Sequence, residues 1–234
     1  MRKSKRRSIR MAPQKLLTNF DPKSIISEQY RTIRTNINFL MPDKKLETLL
    51  FTSVSPGEGK STSAVNVAIV FAQEGKKVLL VDADMRKPTM HYTFGVTNVL
   101  GLSNLLKRQW SLQDGVQETG IKGLSLMTCG PIPPNPVELL GSKSMDALIE
   151  EMKAKYDIVI FDAPPVLSVA DAKVLSNKCD GTILVINSGS TKKDSLLKAK
   201  EVLLLSNATI IGTILNNFKL EKDHAYSYYY EAIE

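Results

Sequence analysis

The sequence predicts an α/β domain, an open and mostly parallel sheet flanked by helices on both faces, and three observations carry that prediction. Short apolar runs recur along the chain, most of them separated by stretches of helical periodicity, as expected for buried parallel strands joined by crossovers. A Gly-rich loop follows the first of these runs and opens a helix. Carboxylates close two later runs, at the strand ends where open α/β sheets bind their ligands.

Taken in order, Ser24 to Leu40 places Ile25, Ile26, Tyr30, Ile33, Ile37 and Leu40 at helical spacing and stops before Pro42, so a leading helix is expected over residues 24–40. Strands are expected at Thr48 to Ser53, Lys77 to Val81, Leu124 to Thr128, Asp157 to Phe161, Gly181 to Ile186 and Thr209 to Leu215. GPIPPNP at Gly130 to Pro136 reads as a stiff loop between a strand and the next helix. There is no internal repeat. A chain of 234 residues accommodates this as one domain with appendages: a basic flexible arm over 1–20, a body over 21–217 and a tail over 218–234.

The net charge is +7, yet the first ten residues, MRKSKRRSIR, hold six basic side chains and no acid, which leaves +1 for the rest. A near-neutral body argues against a nucleic-acid groove. The arm fits solvated disorder, attraction to anionic lipid or contact with an acidic partner, with disorder the default. Cys129 and Cys179 form no CxxC pair and have no His cluster nearby, so they read as ordinary thiols in a reducing compartment rather than as a disulfide or zinc site. No apolar core of a signal peptide follows the basic start, and no run approaches the ~18 apolar residues of a membrane span. A cytoplasmic chain is expected, with any membrane association supplied by a partner.

The loop SVSPGEGKST matches GxxxxGK[ST] except that Val54 stands at the first glycine. Its amides and the following helix N-terminus suit phosphate, Lys60 suits the outer phosphates, and the Ser61 hydroxyl suits Mg²⁺. Pro56, Gly57, Glu58, Gly59, Lys60, Ser61 and Thr62 are therefore candidate nucleotide-binding residues. KKVLLVDADMRKP ends its strand on Asp82 and Asp84 and continues to Arg86, while YDIVIFDAPP ends on Asp162. One acid after a strand is ordinarily a helix cap, whereas three acids at two such ends beside a phosphate loop point to a metal and phosphate site. Asn216 or Asn217, just past the last strand, is a candidate for the adenine edge and equally a turn residue.

PGEGKST, VLLVDADMRKP and IVIFDAPP resemble the Walker A, A′ and B motifs of bacterial tyrosine kinases, cytosolic P-loop autokinases tied to capsule and exopolysaccharide synthesis. The likeness extends to EQYRTIR at Glu28 to Arg34, similar to that family's ExxRxxR oligomerisation motif, to GPIPPNPVELL, and to a terminal cluster of Tyr226, Tyr228, Tyr229 and Tyr230. It implies a P-loop NTPase-like fold and an ATP/ADP and Mg²⁺ site in which Lys60, Asp82, Asp84 and Asp162 are catalytic. Ser61 with Asp82 or Asp162 would hold the metal, and Asp82 with Asp84 would orient the incoming phenol and take its proton. It also implies a head-to-tail ring, typically an octamer, in which Glu28, Arg31 and Arg34 meet a neighbour and one subunit's tail tyrosines enter the next subunit's site. Arg86 would pair with an A′ carboxylate or lie at a subunit contact. The implied partners are a membrane-anchored activator that supplies a cytosolic segment, a phosphotyrosine phosphatase and further protein substrates.

Two other readings compete with the kinase. Positioning ATPases of the partitioning and division-site type share the loop, but usually carry a lysine early in it where this chain has Ser55, Pro56 and Gly57, and a tyrosine-rich tail has no role in them. A nucleotide-dependent assembly scaffold would use the same motifs without transferring phosphate.

Overall fold

The computed structural model describes residues 16–40, 45–107 and 110–218. In chain order the elements begin with α1 (Leu17–Phe20), α2 (Ile25–Leu40), β1 (Thr48–Ser53), α3 (Lys60–Gln73), β2 (Val78–Asp82), α4 (Met90–Phe94), α5 (Leu102–Leu106) and α6 (Leu112–Gly115). They continue with β3 (Val116–Glu118), β4 (Leu124–Met127), α7 (Pro136–Gly141), α8 (Lys143–Lys155), β5 (Ile158–Asp162), α9 (Asp171–Ser176), β6 (Gly181–Asn187), α10 (Lys193–Leu205) and β7 (Ile210–Asn216). The strands form one sheet in the order β3-β4-β2-β5-β1-β6-β7. Every pairing is parallel except β3 with β4. The expected open α/β sheet is therefore present. β3 was not expected, because three half-exposed residues at an edge carry too little periodicity to be seen.

Alternation along the strands divides the core into two layers. Leu49, Phe51, Leu80 and Ile160 face α3 and α2, while Leu50, Leu79, Val81 and Phe161 face the side covered by α5 and α7 to α10. α3 is apolar nearly all round and buries ten of its residues, so it needs cover on the side away from the sheet. α2 supplies that cover with Tyr30 and Ile37, the latter 3% exposed. Truncating Ile37 to Ala would remove about 2 to 5 kcal/mol.

The arm is expected over residues 1–20, of which the structure describes 16–20. Residues 16–20 belong to the body, because the Thr18 amide and hydroxyl both donate to Asn66 Oδ1 on α3, at 3.0 and 3.1 Å, and Gln73 donates to the Thr18 carbonyl. Thr18 is fully buried. Residues 1–15 of the arm and 219–234 of the tail, with all four candidate acceptor tyrosines, lie outside the described residues.

At the N-terminal ends of the strands the acids are fastened to backbone. Asp180 Oδ2 accepts from the amides of Glu47 and Thr48 and from the Thr48 hydroxyl, at 3.0, 2.8 and 2.8 Å. Asp157 accepts from the Lys77 amide at 2.7 Å. Among the described residues, no helix is long and apolar enough to cross a membrane.

Candidate active site

The phosphate loop joins β1 to α3 at the C-terminal edge of the sheet. Gly57 and Gly59 adopt left-handed backbone, with φ of 83° and 92°, where a side chain would be strained. A Cβ on Gly59 would also stand 2.0 Å from the Asn216 side chain. Val54 needs no glycine: its φ is not positive, and its side chain is buried in the layer beneath the loop. The departure from the motif thus falls where the loop is still part of the core. No side chain caps the N-terminus of α3, so the amides of its first turn and the positive end of its dipole are left for an anion.

Register gathers the carboxylates. β2 and β5 pair so that Asp82 stands opposite Asp162, and β1 pairs on the other side of β5, which brings the loop beside them. Asp162 accepts from the Ser61 hydroxyl at 2.6 Å. Lys60 Nζ lies 3.0 Å from Asp84 Oδ2 and 3.3 Å from Asp162 Oδ1. Asp82 is fully buried, and its Oδ2 accepts from the amides of Thr89 and Met90, both at 2.9 Å, at the start of α4. Its Oδ1 is buried without a partner. Asp82 therefore serves as the helix cap that an acid after a strand ordinarily is, and in addition keeps one oxygen free.

Crowding shows in the titration. Burial, then the Asp162 charge, pushes the Asp82 carboxyl up to about 7. Burial also raises Asp162, against the pull of Lys60 and Ser61. Burial alone would lower the Lys60 ammonium, but Asp162 and Asp84 outweigh it and hold it above its ordinary value. Cys129, buried near Asp82 and Asp84, is pushed up to about 12, which makes it an inert thiol.

The donor set fits a divalent cation. Asp84 and Asp162 pair with one ammonium here and Asp82 stands beside Asp162, and the Ser61 hydroxyl and the orphaned Asp82 Oδ1 are both at hand. Among the described residues no three acids, histidines or cysteines form a cage for a metal by themselves. That suits Mg²⁺, which takes one or two carboxylates and completes its shell with water and substrate phosphate.

The other expected residues find partners within the chain. Arg86 pairs with no A′ carboxylate; it grips the buried Asp171 at the start of α9 through Nε and Nη2, at 2.9 and 3.0 Å. Glu58 turns its carboxylate inward, where Oε2 accepts from the amides of Val54 and Ser55 and Oε1 from the Thr191 hydroxyl. Asn216 donates to the Glu58 carbonyl at 3.0 Å, and Asn217, at φ 56°, donates to Asn187 Oδ1. Both asparagines fasten loops through their side-chain amides. On α2, Glu28 and Arg31 pair within the helix, while Arg34 donates to the Val70 carbonyl on α3 and lies 3.5 Å from Glu74. Asp171, Asn187 and Thr191 escaped the sequence reading, since each stands outside any motif and gains its role only through a partner 85, 30 or 133 positions away.

The sequence family described as an AAA domain matches residues 46–196. The chain is 53% identical over 209 residues to the tyrosine-protein kinase YwqD of Bacillus subtilis (strain 168), which covers 89% of this chain and 88% of that protein. The kinase domain of the Escherichia coli tyrosine kinase ETK superposes with a TM-score of 0.85 at 34% identity, over 90% of this chain and 83% of that one. The chimerical protein CapA2B2 also gives 0.85, at 42% identity, over 88% and 91%. Relatives this similar, named for tyrosine phosphorylation, decide against the positioning-ATPase and scaffold readings. A phosphate loop closed by a lysine between two strand-end carboxylates, on this fold and with these relatives, makes the chain a member of the bacterial tyrosine-protein kinase family.

Proposed function

We propose that this kinase moves the γ-phosphoryl group of ATP to its own tail tyrosines, Tyr226, Tyr228, Tyr229 and Tyr230, between subunits of a ring. The observation that carries the site assignment is Lys60 held between Asp84 and Asp162 at the mouth of the loop. An incoming phosphate competes with Asp84 for the ammonium, and Asp84, once released, faces the phenol. The bond from the γ-phosphorus to the β,γ-bridging oxygen breaks, the phenol oxygen bonds to phosphorus, and the phenol proton passes to Asp84 or Asp82. Asp82 keeps one carboxylate oxygen without a hydrogen-bond partner, which is open to take that proton. Since the transition state is loose, position and neutralised charge supply most of the rate. Mg²⁺, held by Ser61 with Asp162 or Asp82, would neutralise the β- and γ-phosphate oxygens.

In the ring, an octamer, Glu28, Arg31 and Arg34 would exchange their present partners for a neighbour's. Such a contact is heterologous and closes by rotation. Phosphorylated tails, each phosphate adding roughly −1.5 to −2 charges, would then repel their docking sites and loosen the assembly. A membrane-anchored activator would recruit the kinase to the inner face of the cell membrane, a phosphatase would reset the tails, and the cycle would govern capsule or exopolysaccharide synthesis and export. Mixing an active chain with a Lys60→Met chain under labelled ATP tests the exchange. Phosphotyrosine on the inactive chain's tail supports transfer between subunits, and label confined to the active chain refutes it.

A further inference from the structure

Glu58 lies within the phosphate loop, yet its carboxylate faces away from the lysine and into the protein. It is 4% exposed. Oε2 receives the amides of Val54 and Ser55 at 2.8 and 3.1 Å, so the first two amides of the loop are already spent. Oε1 receives the Thr191 hydroxyl at 2.6 Å, from the loop between β6 and α10. The direction of that bond is fixed. The Asn187 amide donates to Thr191 Oγ1 at 2.9 Å, which leaves the single hydroxyl hydrogen to Glu58, and a carboxylate can only accept it. The Thr191 amide in turn donates to the Asn187 carbonyl, closing the turn that presents the hydroxyl. From β7, Asn216 donates to the Glu58 carbonyl, against Gly59.

We infer that Glu58 and Thr191 form a latch that sets the phosphate loop in its nucleotide-binding shape before nucleotide arrives, with Thr191 as a positioning residue for the phosphoryl-transfer reaction. The loop follows β1, and β6 pairs directly with β1, so the latch joins two adjacent strand ends and holds the first part of the loop from outside the phosphate site. The later amides, at the start of α3, remain for phosphate. A loop held in its binding shape loses little freedom when the ligand is bound. Loss of the latch would leave the Glu58 carboxylate buried with one oxygen unpaired, and the loop would sample shapes unfit for phosphate. The cost then falls on nucleotide affinity rather than on the chemical step, because Thr191 touches neither Lys60 nor the three acids. This inference rests on the reading of the loop as the ATP site.

The test compares full-length wild type, Thr191→Val, Thr191→Ser and Lys60→Met in autophosphorylation at varied ATP, in titration with a fluorescent ADP, and in thermal melting without nucleotide. For Thr191→Val the latch requires KM for ATP and the ADP dissociation constant to rise about tenfold while kcat stays within about twofold. The melting temperature should fall by only a few degrees, as one unpaired buried oxygen costs about 1 to 3 kcal/mol, and Thr191→Ser, which restores the hydroxyl, should restore both constants. A wild-type KM in Thr191→Val overturns the latch. So does a joint fall in kcat and melting temperature, which would make Thr191 ordinary packing, or a Thr191→Ser chain as impaired as Thr191→Val. Lys60→Met separates the two levels. If it loses transfer while Thr191→Val behaves as wild type, the latch alone fails; if it keeps both transfer and ADP affinity, the loop is not the site and the latch falls with it.

Discussion

The two ends of the same parallel strands treat their carboxylates in opposite ways. At the N-terminal ends Asp180 is tied to two amides and a hydroxyl and Asp157 to one amide, each stapling neighbouring segments. At the C-terminal ends Asp82 and Asp162 face one another across neighbouring strands, Asp84 stands two residues on, and one lysine serves them. A carboxylate that shares a dry site with like charges resists its own charge, as Asp82 does, pushed up to about 7 by burial and by the Asp162 charge. The difference separates acids that hold strands and loops together from acids whose charge is crowded at the mouth of the phosphate loop.

The largest effect should come from Lys60→Met, which removes the cation from the crowded end. Phosphotyrosine formation should fall at least about a hundredfold, measured by radiolabel incorporation, with circular dichroism unchanged. Asp180→Ala should do the converse. It strips the acceptor from two amides and a hydroxyl and should cost about 3 kcal/mol in urea unfolding, with kcat retained at a temperature where the variant is folded. A catalytic defect in folded Asp180→Ala would break the division between the two ends.

The smallest effect is a gain. Asp82→Asn keeps an oxygen for the amides of Thr89 and Met90 and removes the charge. Because the folded-state value is raised from 3.8 to about 7, the fold favours the protonated acid. The acid's stabilising contribution is therefore present at low pH and lost as pH rises through that value. The variant should melt higher than wild type at pH 8, by on the order of 4 °C, and the difference should shrink toward pH 4, while phosphorylation drops. An equal difference at both pH values would mean that charge crowding is not the cause.

Much of this was legible from residues alone. The strand runs, the helix over Ile25–Leu40, the phosphate loop and the three acids of the site all announce themselves by local pattern. What stayed hidden depends on long-range pairing. Nothing near Arg86 marks Asp171 as its partner, and a glutamate inside a phosphate loop reads as a ligand contact until its side chain is seen to fold back toward Thr191. The leading helix shows the same limit: spacing put Glu28, Arg31 and Arg34 on one stripe, but α3 decides that Arg34 turns inward to the Val70 carbonyl. Thr18 reads as part of the basic arm because its partner, Asn66, comes 48 residues later.

β7 closes the sheet with IIGTILN, seven residues without a charge or a proline, and among the described residues no strand pairs with its outer side. The opposite edge is three residues long. A ribbon of main-chain donors and acceptors that no described strand pairs, with β-branched side chains, is adhesive toward other ribbons of its kind. The colloidal fate of the purified kinase therefore turns on this strand. In concentrated solution, molecules should add to one another edge to edge on gentle warming, well below the temperature at which the core gives way, and turbidity should precede loss of secondary structure.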